Sequence, residues 1–175
     1  MATSTWAIDP AHSEIQFKVK HLVITTVTGH FKEFSGSVEA EEGFENASIA
    51  FEAAVASIST NNEQRDGHLK SADFFDAENF PTLSFTSTSF TKDGSDFSLV
   101  GDLTIKGTTL PVTFEVDYEG TATDPWGNVK AGFEVKGKIN RKDFGLAWNA
   151  ITEAGSALVS EEVKLIGNIQ LVKQA

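Results

Sequence analysis

Along nearly the whole chain, apolar and polar residues alternate with a period of two, and the alternation plainly stops in one stretch only, residues 57–85. Successive strand residues point to opposite faces, so each alternating run defines an inner and an outer row. After a short opening strand near Trp6, the run Glu14–His21 sets Ile15, Phe17, Val19 and His21 on one face and Gln16, Lys18 and Lys20 on the other. Phe34, Gly36, Val38 and Ala40 continue the inner row, Glu41-Glu42-Gly43 turns the chain, and Ile49, Phe51, Ala53 and Val55 form the next row. Beyond Pro81 the alternation resumes with Leu83 and Phe85, and Asp93-Gly94 predicts a hairpin because both residues tolerate positive φ. Phe97, Leu99, Gly101, Leu103 and Ile105 share a face. The chain then turns at Lys106-Gly107 and returns with Val112, Phe114, Val116 and Tyr118. Asp124-Pro125-Trp126-Gly127 has the residue order of a type I turn. Phe133, Val135, Gly137 and Ile139 follow, then a connection over residues 143–157 carrying Trp148, then Val163, Leu165, Gly167, Ile169 and Leu171.

These runs predict an all-β chain of about eight strands joined by turns, hence antiparallel neighbours. Long apolar strands with free edges invite aggregation, and closing the sheet removes those edges, so an eight-stranded antiparallel β-barrel is the expected architecture. A two-sheet sandwich shares the same period. In residues 57–85, Asn61-Asn62 ends a strand, Asp66 is placed as the N-cap of a short helix over about His68 to Asp73, and Phe74, Phe75, Phe80 and Pro81 make an aromatic landing. This segment is expected to act as a helical plug. At 175 residues the chain fits one domain over residues 1–175.

Gly36, Gly101, Gly137 and Gly167 all fall on the inner parity, mid-strand, where a large apolar residue is expected. Glycine there marks a bend of the sheet or a close approach to the backbone. One reading is coiling of the barrel; the other is that missing side chains open a tunnel. On the second reading the four glycines line a ligand site together with Phe17, Val19, Phe34, Ile49, Phe51, Val55, Leu83, Phe85, Leu99, Leu103, Phe114, Val116, Phe133, Val135, Ile139, Val163 and Leu165.

Composition sharpens this picture. Fourteen Phe against one Tyr supplies aromatic bulk without a polar handle, which suits a dry interior. The excess of 25 Asp+Glu over 14 Lys+Arg, a net charge of -11, opposes binding to nucleic acid and to anionic bilayers. No run approaches the ~20 apolar residues of a membrane span. Without cysteine there is no disulfide and no thiolate metal site, and the four histidines, His12, His21, His30 and His68, lack ligand spacing, so no metal is expected. The start MATSTWAID shows neither a basic n-region nor an apolar h-region, which predicts a cytoplasmic chain.

Polar candidates for contact with a ligand head group are His21, at the end of an inner row, and Arg65, at the start of the plug; each has a structural alternative, a bond to neighbouring backbone for His21 and an ion pair to Asp66 or Asp73 for Arg65. His12-Ser13 after Asp9-Pro10 reads as a satisfied turn rather than a hydrolase triad, because three sequence neighbours reach one another poorly. Arg141 and Asp143 read as braces of the following loop. No catalytic residue is assigned.

Arg65-Asp66-x-His68-Leu69-Lys70-Ser71-x-Asp73-Phe74-Phe75-Asp76, followed by Phe80-Pro81-x-x-x-Phe85, resembles the signature of the YceI-like family of polyisoprenoid-binding proteins. Trp6-x-Ile8-Asp9-Pro10-Ala11-His12-Ser13, Phe17-x-Val19-x-His21, Gly29-x-Phe31-x-x-Phe34-x-Gly36, Gly101-x-Leu103-Thr104-x-Lys106-Gly107 and Arg141-x-Asp143-Phe144-Gly145 agree with it in order and approximate spacing. The resemblance covers about Thr5 to Lys173. It implies a lipocalin-like barrel that binds, sequesters or carries a polyisoprenoid, an isoprenoid quinone or a similar long-chain lipid, with that lipid as ligand and no cofactor required. Related folds also self-associate, so a homodimer is compatible, and the family has exported members. Two other readings stand beside this one: an enzyme acting on an isoprenoid or quinone head group, and a packed barrel acting as a surface interaction module.

Overall fold

The computed structural model describes residues 3–21, 25–72, 74–94, 96–146 and 161–174, with His21 and Asp93 described in their backbone alone. The strands are β1 (Ser4–Ile8), β2 (Glu14–His21), β3 (Thr25–Phe31), β4 (Phe34–Ala40), β5 (Ser48–Ala54), β6 (Ile58–Ser59), β7 (Thr82–Asp93), β8 (Asp96–Ile105), β9 (Thr108–Thr123), β10 (Val129–Asn140) and β11 (Glu162–Lys173), with one α-helix among the described residues, α1 (Glu63–Lys70).

Six of the shorter strands are halves of three kinked staves. β2 pairs with β3 while β1 pairs with β4, and β4 pairs with β5 while β3 pairs with β6. The staves β1/β2, β3/β4 and β5/β6 therefore lie side by side, and β7, β8, β9, β10 and β11 continue the meander. β11 then pairs with β1 through Ile8↔Leu171 and with β2 through Phe17↔Leu165, which closes an eight-stranded antiparallel barrel.

Two of the kinks have a local cause in 3-10 turns. In the first stave, Pro10 starts a 3-10 turn, Pro10–His12, and the Asp9 carboxylate accepts from Ala11 N at 3.0 Å and bonds His12 Nδ1 at 2.7 Å. The kink is sewn to β11 at one residue: Asp9 N donates to the Gln170 carbonyl, and Gln170 N donates to the buried Ser13 Oγ at 2.9 Å. The third stave bends at the 3-10 turn Val55–Ser57, where Val55 N donates to the Pro81 carbonyl.

The short strand β3 is absent from the alternation pattern because Thr25-Thr26-Val27-Thr28 offers one apolar residue in four. The helix begins earlier than expected. Asn62, whose side chain accepts from Arg65 N at 3.0 Å, is its N-cap, and Asp66 instead accepts from Thr60 N and Thr60 Oγ1 at 2.7 and 2.6 Å. The turn expectations hold at Lys106-Gly107, where both residues have positive φ, and at Asp124–Gly127, where Asp124 Oδ1 accepts from Trp126 N and Asn128 N. Trp148 and Asp73 lie outside the described residues.

One end of the barrel is floored by Phe44, which follows Gly43 in the β4–β5 connection. Its ring meets Trp6 at 5.0 Å, Phe133 edge-on at 4.9 Å and Tyr118 at 5.8 Å. Phe44 adopts φ 61°, a left-handed backbone costly for a bulky residue, so its ring contacts must outweigh that cost.

Two outcomes follow. Phe44→Ala should lower stability by about 3 kcal/mol, with no relief at its backbone because alanine keeps the Cβ, read as a lower urea midpoint. The His12 ring, through its hydrogen bond, holds the Asp9 carboxyl below the usual carboxylate range. A depressed folded-state value contributes stability above the unfolded value of ~4, and that contribution is lost as pH falls through the folded one. Asp9→Asn should therefore melt below the parent at neutral pH, with the gap closing under acid conditions, in thermal melts across pH.

Candidate functional site

The inner rows enclose a cavity of about 600 Å³ whose wall is nearly all apolar. That volume equals about twenty waters at ~30 Å³ each. Its floor is Phe44, Phe133 and Leu171; its flanks come from every stave; its far rim carries the polar side chains Thr60, Asn62, Gln64, Arg65, His68 and Arg141.

Sixteen of the expected residues contribute to the lining: Phe17, Val19, Ile49, Phe51, Leu83, Phe85, Leu99, Leu103, Phe114, Val116, Phe133, Val135, Ile139, Val163, Leu165 and Gly167. Five stand outside it. Phe34 shares the face of Phe51 and packs on it ring to ring at 6.2 Å, short of the cavity, and Val55 is consumed by the kink of its stave. Gly36, Gly101 and Gly137 open no space, because neighbouring side chains, and at Gly101 also neighbouring backbone, occupy theirs. A Cβ there would stand 2.6 Å from Ile8 Cδ1, 2.5 Å from Phe85 Cζ and 2.4 Å from Phe114 Cδ1, respectively. Gly167 faces the lumen, with Ile169 Cδ1 and Ile15 Cδ1 at ordinary contact distance.

Arg65 reaches the rim, yet its bonding differs from an ion pair with Asp66. Its Nε donates to Thr60 Oγ1 and its Nη2 to the Thr60 carbonyl, both at 2.7 Å. Thr60 is buried and donates onward to Asp66, so Arg65, Thr60 and Asp66 fasten the start of α1 to the end of β6. The His21 side chain lies outside the described residues.

Sequence reasoning passed over Arg141 as a lining residue. It is 3% exposed, donates from Nη1 to the Leu146 carbonyl and sits over the Phe74 ring at 6.0 Å, while His68 meets the other edge of that aromatic landing at 5.1 Å from Phe74. Burial lowers the Arg141 pKa, opposed by attraction to Glu161. The guanidinium keeps its charge under all ordinary conditions. A buried cation among phenylalanines, at an Arg-x-Asp-Phe-Gly motif, was the available signal. Phe31, Phe44, Phe74 and Phe75 were also missed as lining, since they sit at kinks and connections where period two has no force. Lys106 clamps the same end, donating from Nζ to the carbonyls of Ala72 at 2.8 Å and Gly145 at 3.4 Å.

The model of the YceI-like domain matches residues 6–171. Protein YceI of Escherichia coli O17:K52:H18 is 42% identical over 164 residues, covering 93% of this chain and 83% of that protein. BcnA of Burkholderia cenocepacia superposes with a TM-score of 0.81 at 23% identity, covering 93% of this chain and 98% of the other. A polyisoprenoid binding domain from Saccharophagus degradans, implicated in plant cell wall breakdown, superposes with a TM-score of 0.65 at 15% identity, covering 97% and 98%. At those identities the two structures speak to the fold alone. The family match and the Escherichia coli relative together span nearly the whole barrel, and they establish that the chain belongs to the YceI-like family.

Proposed function

We propose that this barrel is a binder which sequesters or carries one long-chain lipid, a polyisoprenoid or an isoprenoid quinone, with no cofactor. The observation that carries the reading is the cavity itself: about 600 Å³ enclosed by apolar walls. Walls of this kind give water too few polar partners, and left empty they forgo dispersion contacts. An apolar chain displaces such water and supplies those contacts, at ~0.8 kcal/mol per methylene buried, before the cost of ordering it. Arg65, His68 and Arg141 all line the cavity, so a tail lies toward Phe44 and a head group toward these three, whose N–H groups suit a carbonyl or phosphate oxygen. A polyisoprenoid binding domain shares this barrel, so the fold is compatible with such a guest.

A packed barrel acting through its surface would need a filled interior, and the cavity counts against it. An enzyme working on the head group would need a general acid or base at the rim; Arg65 keeps its proton and is bonded to Thr60, which leaves that role to His68.

Native mass spectrometry of the protein as purified, followed by organic extraction, tests the proposal. The expected result is one lipid per chain, with a prenyl tail in the extract. An empty protein that also takes up no added prenyl lipid would overturn it.

A further inference from the structure

Three phenylalanines of the lining end on a glycine of the adjacent strand instead of standing across the lumen. Phe17 is paired directly with Gly29, and a Cβ on Gly29 would lie 2.1 Å from Phe17 Cζ and 2.4 Å from Cε1. A Cβ on Gly137 would lie 2.4 Å from Phe114 Cδ1 and 2.7 Å from Cε1. At Gly101 it would meet Phe85 Cζ at 2.5 Å. Carbon atoms not bonded to each other settle at ~3.5–4.0 Å, so a ring can occupy these places only while the opposing residue has no side chain.

The three sites are not equivalent. At Gly101 the Thr86 carbonyl oxygen, at 2.4 Å, and Ser87 Cα, at 2.8 Å, are as close as the ring, so a side chain there would force two strands apart. At Gly29 and Gly137 the nearest atoms all belong to the ring, which can turn away about its own side-chain bonds. The direction left to it is the lumen, because Phe17 and Phe114 both face the cavity.

We propose that Gly29 and Gly137 are specificity-determining residues that set the bore of the cavity: each is a recess that stores a phenylalanine ring in the wall, and together they fix how long and bulky an apolar chain the barrel admits. This inference rests on the lipid-binding reading above and deepens it. A methyl group in either recess turns a ring into the path of the ligand. The part of the chain displaced is the part that lay beyond the ring, so long chains lose binding and short ones keep it. Gly29 carries no signal in the period-two pattern, since β3 shows no inner row in the sequence; Gly137 does, but its role is to seat a ring and not to leave a void.

The test uses the full chain, freed of lipid by organic extraction and refolded, with all-trans prenyl alcohols from farnesol to solanesol as probes. Gly29→Ala and Gly137→Ala should each weaken binding of the longest alcohol held by the parent by about tenfold or more, the worth of roughly two methylenes, and leave farnesol within about twofold. Removing the stored ring in the same chain, as Gly29→Ala with Phe17→Ala or Gly137→Ala with Phe114→Ala, should restore the long alcohol; a merely destabilising glycine substitution would show neither the length dependence nor the rescue. Variants that fold, by circular dichroism, and bind every length in the parent's ratio would overturn the inference. If the parent itself binds none of the alcohols, the lipid-binding reading fails. Crystal structures of the two alanine variants then decide the bore separately: rings swung into the lumen support it, and rings still against their strands overturn it.

Discussion

The structure depends on the way β11 is hydrogen-bonded on both flanks. One flank holds β10 along eleven residue pairs, and the other holds β2 in its first half and β1 in its second. Without that second flank the meander would be an open sheet with an apolar face exposed to water and a free edge. The shared flank demands that β1 and β2 be one strand with a break, and the break occurs where Asp9, Ser13 and Gln170 bond across it. Closure in turn creates the interior, because eight strands enclose more space than these side chains fill.

What the interior becomes is then a matter of where bulk is placed. Phe44 closes one end with a cluster of rings, and α1 with the aromatic landing after it covers the other, bearing the Gln64, Arg65 and His68 side chains of the lining. Between them, bulky rings line the lumen without blocking it, since Phe17, Phe85 and Phe114 lie over glycines. A chain so rich in Phe can thus keep a lumen at all. The two functions usually assigned to glycine in a barrel strand, bending it and emptying it, are joined here by a third, seating an aromatic ring.

The sequence displayed this fold to the extent that period two survives. The inner rows from Phe97 to Ile105 and from Phe133 to Ile139 are uninterrupted, and both run as long strands along the cavity. Legibility failed where a residue's role is set by a partner far along the chain. Asn62 and Asp66 are both capping types, and only the position of Thr60 assigns the cap to one and a β6 anchor to the other. Arg141 reads as a loop brace and does bond the Leu146 carbonyl, yet it also faces the cavity through its place above Phe74. The glycines gave a true inner parity and a misleading consequence, since parity reports which way a residue faces and not what its neighbour does with the space.

The central claim is that the barrel's axis is a continuous apolar space meant for a chain-shaped guest. A crystal structure of the protein purified without any delipidation tests it most directly. The account predicts unbroken tubular density from the Phe44 ring to the Arg65 and Arg141 end, with the rings of Phe17 and Phe114 still against Gly29 and Gly137. An interior filled by the protein's own side chains, with no room between Phe44 and α1, would contradict it.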